Sequence, residues 1–283
     1  MQSKLEATSL IEEKPFLEFI EFVESSFGLM LSWYNPKSLK RRLEKVLRLF
    51  KIDDLRSLQM LLIRDEKYFL KFIDAFTVQV TELFREPDSL KVIREDVLPL
   101  LRNKEAPRIL FIGSSTGEEL CSLAIILKEL DLLNRVEITA TDLSPKAISR
   151  AAEPCISKSR LKEAQMNYRR AGGIGLLEDY YQATSSLCYF HSSLFDKVHY
   201  QCFDITKDEL DLKFDLIFCR NLLIYFQSQQ HNGLVQRLVR HLKPGGFLSF
   251  GEQESIRFYK NHDNLQIVSS SQKIYRQNIL SPY

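Results

Sequence analysis

The segment Gly113–Glu119, GSSTGEE, sets two adjacent carboxylates after an apolar run, RILFI, and ahead of a helix-patterned stretch, LCSLAIILKEL. Turns between a strand and a helix are where doubly wound sheets bind nucleotide-like ligands. This one lacks both the GxGxxG that admits a pyrophosphate and the GxxxxGK[ST] that cradles phosphates. Glu118 and Glu119 would repel a phosphate but suit a ligand that carries an ammonium. They also suit the positive end of a helix dipole, whatever binds there. Asp142 closes the next strand, VEITATD, where an acidic side chain grips ribose hydroxyls. LSP follows, so capping a helix is its other reading. Asp204 ends a third strand and either reaches an adenine amino group or caps ITKDEL.

An ammonium, a ribose and an adenine without phosphate describe S-adenosylmethionine. FDLIFCRNLLIYF extends this reading. Its apolar run is a buried strand, and Arg220–Asn221 puts polar groups at the carboxyl end, where such sheets bind ligands. Tyr225 follows four residues after Asn221. An aromatic face near a sulfonium contributes roughly 0.5–2 kcal/mol; a core tyrosine is the alternative. An amphipathic helix is read from about Glu66 to Leu83, and in TVQVTELFREP the i, i+4 spacing of Thr81 and Arg85 puts both on one helical face. An exposed polar pair of that kind is also an ordinary solvated surface. LKPGG reads as a helix end and tight turn before a strand.

Elements of two kinds must position these residues. Up to about residue 101 the pattern is helical. Phe16, Phe19, Ile20 and Val23 recur at helical spacing before Gly28. From Pro36 to Phe50 the chain sets Leu39, Leu43, Val46, Leu47 and Phe50 on one face, opposite Lys37, Lys40, Arg41, Lys45 and Arg48. Leu55–Leu62 forms another helix, capped by Asp53 or Asp54, and Asp88–Leu101 a short one. After the linker RNKEAP, strand and helix alternate, which indicates a parallel sheet covered on both faces. Strands are expected at Arg108–Gly113, Val136–Thr141, Val198–Phe203, Phe214–Cys219 and Phe247–Gly251. Helices are expected at Gly117–Leu130, Pro145–Ala152 and Ser228–Leu242, with a terminal hairpin in LQIVSSSQKIYRQ. Residues Cys155–Lys197 are too long for one crossover and read as an insertion of short antiparallel strands with a helix at Leu161–Arg170.

The 283 residues suit a catalytic domain plus a smaller companion, and a net charge of +2 commits the chain to neither nucleic acid nor membrane. No apolar run reaches the roughly 20 residues of a transmembrane helix. The N-terminus lacks a signal peptide's basic start and apolar core, so a reducing, cytoplasmic location is expected. The five cysteines and five histidines show no CxxC or HExxH spacing, and no metal is expected. A DPPY/NPPY-like motif for flipped bases is absent.

With SLKRRLEKVLRLFKIDDL, VTELFREP, SSTGEE, the aspartate after the second strand, and FCRNLLIYF with LKPGGFLSFGEQES, the chain resembles the bacterial chemotaxis-receptor glutamate methyltransferases of the CheR type across nearly its whole length. The FCRNxxIYF and TxxFRE-like stretches are specific to that family. The resemblance implies an α/β fold: a Rossmann-like S-adenosylmethionine-dependent methyltransferase sheet with an inserted small antiparallel β-subdomain, preceded by an all-helical N-terminal domain. The domains would be 1–86, a helix and linker at 87–107, and 108–283 with the insertion at 155–197. Cofactor contacts are implied for Gln79, Thr81, Arg85, Gly113, Glu119, Asp142, Asp204, Ile205, Arg220 and Asn221, with Gly113 allowing close backbone approach. Arg85 and Tyr225 would be the catalytic pair, Tyr225 beside the transferring methyl. Glu119 then carries the cofactor role and Glu118 falls back to the helix dipole.

Departures are Gln79 where an asparagine is common, Cys121 in place of a tyrosine, and GEQES in place of a GHSE-like sequence. The implied reaction gives glutamyl methyl esters on methyl-accepting chemoreceptor helices, leaving S-adenosylhomocysteine. The basic helix is expected to meet the receptor bundle and the β-subdomain a receptor tail, with the enzyme monomeric. The alternatives are another protein or small carboxylate as acceptor, or a signalling adaptor of the same fold.

Overall fold

The computed structural model describes residues 11–79, 81–257 and 259–279. Contacts separate the chain into two compact units: residues up to Val78 with Tyr225–Gln227, and Gln79–Ile224 with the residues from Ser228 onward. The division falls at 78/79 rather than at 86/87, because the FREP loop is bonded into the sheet unit.

The helical unit comprises α1 (Glu13–Phe27), α2 (Pro36–Phe50), α3 (Leu55–Arg64) and α4 (Glu66–Phe76). Gly28 ends α1 at φ 65. Asn35 caps α2 by accepting the amides of Lys37 and Ser38, and Asp54 caps α3 through the Ser57 amide at 2.7 Å. Phe19, Leu43, Leu58 and Phe72 are fully buried between these helices. The expected continuation of α4 to Leu83 does not form. The Thr77 hydroxyl bonds the Ile73 carbonyl at 2.9 Å, and the β-branched residues Val78, Val80 and Thr81 follow, a run that favours extended backbone. Thr81 and Arg85 therefore lie in a loop and share no helical face.

The second unit opens with α5 (Pro87–Val92), a π turn (Ile93–Val97) and α6 (Leu98–Leu101). The π turn adjoins Pro99, which cannot donate within a helix and clashes with the carbonyl four residues back. There follow β1 (Arg108–Ile112), α7 (Glu118–Glu129), β2 (Glu137–Asp142), α8 (Pro145–Ala151), β3 (Cys155–Ser157), α9 (Leu161–Arg170), β4 (Tyr181–Ala183), β5 (Leu187–Phe190), β6 (Val198–Cys202), β7 (Phe214–Cys219), α10 (Ser228–Arg240), β8 (Leu242–Phe250), β9 (Leu265–Ser269) and β10 (Ile274–Gln277). The seven-stranded sheet has the order β6-β2-β1-β7-β8-β10-β9, parallel except for β10, which runs against both neighbours. From β1 the chain winds outward through β2 to β6, then returns to the other side with β7. Ligands bind at the carboxyl ends beside such a reversal. The insertion forms its own antiparallel sheet, β3-β5-β4, with α9 over the expected residues.

KPGG lies inside β8 rather than in a free turn. Phe214 pairs with Leu242 and Leu216 with Phe247, so six residues of β8 face three of β7. A Cβ on Gly246 would sit 2.8 Å from the Lys243 carbonyl oxygen, so only glycine closes this bulge. At the same end of the sheet, the buried Asp215 carboxylate accepts Lys104 Nζ at 2.5 Å, Lys243 Nζ at 2.8 Å and the Arg108 amide at 2.8 Å. Burial pushes this carboxyl up, but the lysines and the amide outweigh it and hold it below the usual range.

A folded pKa that is depressed contributes stability above the unfolded value, and that contribution is lost as pH falls through the folded one. Asp215→Asn should lower stability at pH 7 by about 1–3 kcal/mol, the two lysines being partly solvated. Melting curves recorded from pH 7 to pH 3 should show the gap between variant and parent closing as Asp215 protonates.

Candidate functional site

The turn after β1 carries three left-handed residues, Gly113 (φ 77), Ser115 (φ 51) and Gly117 (φ 89). The Gly113 and Ser114 amides both donate to the Thr141 carbonyl at 2.8 Å, and the Ser115 amide donates to Asp142 Oδ2 at 2.9 Å. A Cβ on Gly117 would lie 2.8 Å from Ala151 Cα, whereas one on Gly113 would meet only Leu222 at 3.8 Å. Gly113 is thus required by its backbone angle and faces open space, leaving room for a ligand to approach.

Asp142 does not cap α8. Ser144 does, accepting the Ala147 amide at 3.0 Å, while Asp142 Oδ1 accepts the Ser144 amide at 3.0 Å. Two backbone amides therefore fix the carboxylate at the end of β2. The Gln79 amide reaches the same turn, donating to Ser144 Oγ at 3.3 Å and accepting from Arg150 at 3.0 Å. Beyond β6, one oxygen of Asp204 accepts the Thr206 amide at 2.9 Å and its hydroxyl at 2.6 Å. The other, Oδ2, is buried with no hydrogen-bond partner among the described residues. Ile205 is buried beside it, its carbonyl held by Arg237 at 2.9 Å.

At the end of β7 the Arg220 side chain is only 1 % exposed. Its Nη2 donates to Glu86 Oε2 at 2.8 Å and to the Arg85 carbonyl at 3.2 Å. Nη1 lies 2.9 Å from Glu119 Oε1, within ion-pair distance but without hydrogen-bond alignment, and Nε has no partner among the described residues. Desolvation opposes the guanidinium charge, but Glu119 and Glu86 outweigh it and keep Arg220 protonated. Burial pushes the Glu119 carboxyl up, with Glu86 adding to the shift and Arg220 and Arg85 opposing it. Asn221 has left-handed backbone at φ 57, and its Nδ2 donates to Glu86 Oε1 at 2.9 Å. Glu254 supports this bend. It accepts the Asn221 amide at 2.7 Å, the Leu223 amide at 2.6 Å and the Gly251 amide at 2.7 Å. Burial lifts its carboxyl to about 7 against the pull of these amides.

The loop containing Thr81 and Arg85 packs against α7. Phe84 and Glu86 are both left-handed, at φ 53 and φ 50, a rare state for a bulky residue. The Ser122 hydroxyl accepts the Phe84 amide at 2.7 Å, which holds that conformation in place. Thr81 is buried, and its carbonyl accepts Arg160 at 2.6 Å. Arg160 also pairs with Glu118 at 3.3 Å, and Glu118 accepts the Thr116 hydroxyl at 2.5 Å. Glu118 is therefore a buried tie between α7 and the residues ahead of α9, more than a dipole partner.

Tyr225 belongs to the helical unit, where its carbonyl accepts the Asn35 amide at 2.9 Å. Its ring carries the Arg42 guanidinium 4.2 Å from the centroid, and Arg42 also lies over Tyr34 and Phe76. Lys37, Arg41, Lys45 and Arg48 are exposed, whereas Arg42 turns inward.

In the sheet unit the structure thus gathers Arg85, Glu119, Arg220 and Asn221 around one cluster, and Gln79 and Asp142 around one turn. Sequence reasoning missed Glu86, Glu254 and Arg42. Glu86 and Glu254 follow from a charge argument, since an arginine at the end of a fully apolar strand needs buried carboxylates; Arg42 has no comparable local signal.

A Rossmann-like sheet with an acidic turn after β1 and an acidic end to β2 defines an S-adenosylmethionine-dependent methyltransferase. Residues 79–274 match the CheR methyltransferase SAM-binding domain, and residues 14–77 match the CheR methyltransferase all-alpha domain. A Pseudomonas putida protein named as a methyltransferase, Cher3, is 34 % identical over 259 residues, spanning 92 % of this chain and 95 % of its own. A chemotaxis protein methyltransferase of Listeria innocua is 29 % identical over 246 residues, spanning 86 % and 91 %. One from Vibrio cholerae is 28 % identical over 255 residues, spanning 87 % and 90 %. This chain belongs to the CheR methyltransferase family, and its cofactor is S-adenosylmethionine.

Glu254→Gln would turn an amide donor toward backbone N–H groups that both carboxylate oxygens now accept. A loss of about 1–3 kcal/mol is expected from the unsatisfied donors. Thermal melting should register it, and equilibrium dialysis should show weaker S-adenosylhomocysteine binding as the Asn221 bend relaxes.

Proposed function

We propose that this chain methylates glutamate side chains of chemoreceptors in the cytoplasm, as a monomer, forming glutamyl methyl esters in chemotactic adaptation. The observation that carries the cofactor half of this reading is the set of unpartnered buried polar atoms at the strand ends. Among the described residues those without a hydrogen-bond partner include Asp204 Oδ2, Glu119 Oε1, Arg220 Nε and Asn221 Oδ1. They fit a ligand with an ammonium, a carboxylate and an amino-bearing base, and no lysine or glycine-rich phosphate cradle stands among them. The acceptor half is supported by relatives named chemotaxis protein methyltransferases.

In this reading Glu119 pairs with the cofactor's ammonium and Arg220 with its carboxylate. Asp142 receives the ribose hydroxyls at the end of β2, and Asp204 the adenine amino group beside Ile205. Gln79 and Thr81 line the same end, and Asn221 and Gly113 offer amide and open backbone. When bound, S-adenosylmethionine supplies an electrophilic methyl group that a carboxylate oxygen accepts as the sulfur–carbon bond breaks.

An acceptor glutamate of pKa near 4.3 is already ionised at pH 7, so no residue of the chain must act as general base. The chain's work is to orient the acceptor and exclude water. Arg85, half-buried, steers the incoming carboxylate or braces the cofactor. Tyr225 presents a ring whose capacity to hold a cation is evident in its stacking on Arg42. The exposed Lys37, Arg41, Lys45 and Arg48 of α2 suit the acidic surface of receptor helices. The edge strands β3 and β4 leave room for a receptor tail to add as a strand.

Tritiated methyl transfer from S-adenosylmethionine to receptor-rich membranes should give label that is released by base. Base-stable label, or none despite S-adenosylhomocysteine binding, would overturn the glutamate-ester assignment. Arg85→Ala should lower the rate on the order of 10²-fold, as expected for loss of a charged orienting group; full activity would remove Arg85 from its role.

A further inference from the structure

Glu86 is the carboxylate on which the Arg220 geometry turns. Its two oxygens accept three donors from two segments of the sheet unit: Arg220 Nη2 at 2.8 Å and Asn221 Nδ2 at 2.9 Å after β7, and the Glu252 amide at 3.0 Å after β8. Its backbone is fixed too, by left-handed φ 50 and by Pro87 behind it. A side chain held this firmly determines which edge of the guanidinium is engaged. Nη2 is committed to Glu86 and to the Arg85 carbonyl, while Nε and Nη1 are left without aligned partners. Glu119 Oε1, 2.9 Å from Nη1, is likewise unaligned.

Planar guanidinium and carboxylate groups at that distance ordinarily close into a bidentate pair. Such a pair would satisfy Arg220 and Glu119 with each other and remove both from any ligand. We propose that Glu86 is a positioning residue that prevents this closure, holding the free edge of Arg220 and the free oxygen of Glu119 ready for an α-amino acid group, carboxylate to the first and ammonium to the second. The proposal rests on the reading that Glu119 and Arg220 meet the amino-acid end of the cofactor, and it assigns Glu86 no contact with the ligand.

Calorimetry with two ligands tests it. S-adenosylhomocysteine has the amino-acid arm; 5′-methylthioadenosine keeps the adenosine and thioether without it. Glu86→Gln should weaken S-adenosylhomocysteine at least about tenfold, as expected when a charge-assisted bond no longer holds Arg220, and leave methylthioadenosine within about twofold. Unchanged S-adenosylhomocysteine affinity overturns the proposal. Equal weakening of both ligands overturns it as well, since that is what general loosening of the loop produces. Should Glu86→Gln not fold, Glu86→Asp keeps the charge on a shorter arm and is judged by the same comparison. Glu119→Gln and Arg220→Lys separate the two levels of inference. If neither weakens S-adenosylhomocysteine, the cofactor reading fails; if they do and Glu86→Gln does not, only the role of Glu86 fails.

Discussion

A guanidinium buried to 1 % exposure at the end of an apolar strand is the constraint around which the sheet unit is organised. Removing such a charge from water is unfavourable by several kcal/mol unless carboxylates and carbonyls replace the solvent. For Arg220 these come from Glu86 within the FREP loop, Glu119 at the start of α7 and the Arg85 carbonyl. Bringing them together obliges the backbone to bend where no helix or strand would take it. Phe84, Glu86 and Asn221 are all left-handed, and each is anchored, Phe84 by Ser122, Glu86 by its three donors and Asn221 by Glu254. The unfavourable conformations persist because the surrounding bonds over-determine them.

The sheet supplies the rigid reference for these bends. With β1 and β7 adjacent at the reversal of strand order, the Gly113 turn and Arg220–Asn221 emerge side by side. Parallel pairing of β2 with β6 brings Asp142 opposite Cys202, two residues before Asp204. Phe111 and Phe218 stack with centroids 4.5 Å apart just beneath, and at the far end Asp215 joins β7 to the residues before β1 and to β8. The polar ends are thus carried on strands whose spacing is set by core packing and backbone bonding.

Much of this was legible in the residues. Strand positions follow from apolar runs bounded by turn residues, and Phe214–Cys219 and Leu161–Arg170 form over the expected spans. Some readings did not survive contact with the fold. Periodicity carried α4 too far, because side-chain spacing does not register the competition between β-branched residues and helical backbone at Thr77–Thr81. KPGG looked like a turn, because a bulge is defined by the partner strand. Asp142 as a helix cap was displaced by Ser144 two residues later, a choice made by backbone geometry.

By itself, then, the sequence determined the order of helices and strands, the acidic character of the turn after β1 and the family, because periodicity, charge and motif spacing are local properties of the chain. Tertiary structure alone decided which carboxylate holds Arg220, which of its edges stays free, and that Arg42 faces inward against Tyr225. Those outcomes depend on groups far apart in the sequence, Glu86 and Asn221 being separated by 135 residues. Burial couples them through desolvation and hydrogen-bond geometry, quantities that exist only once the chain has folded.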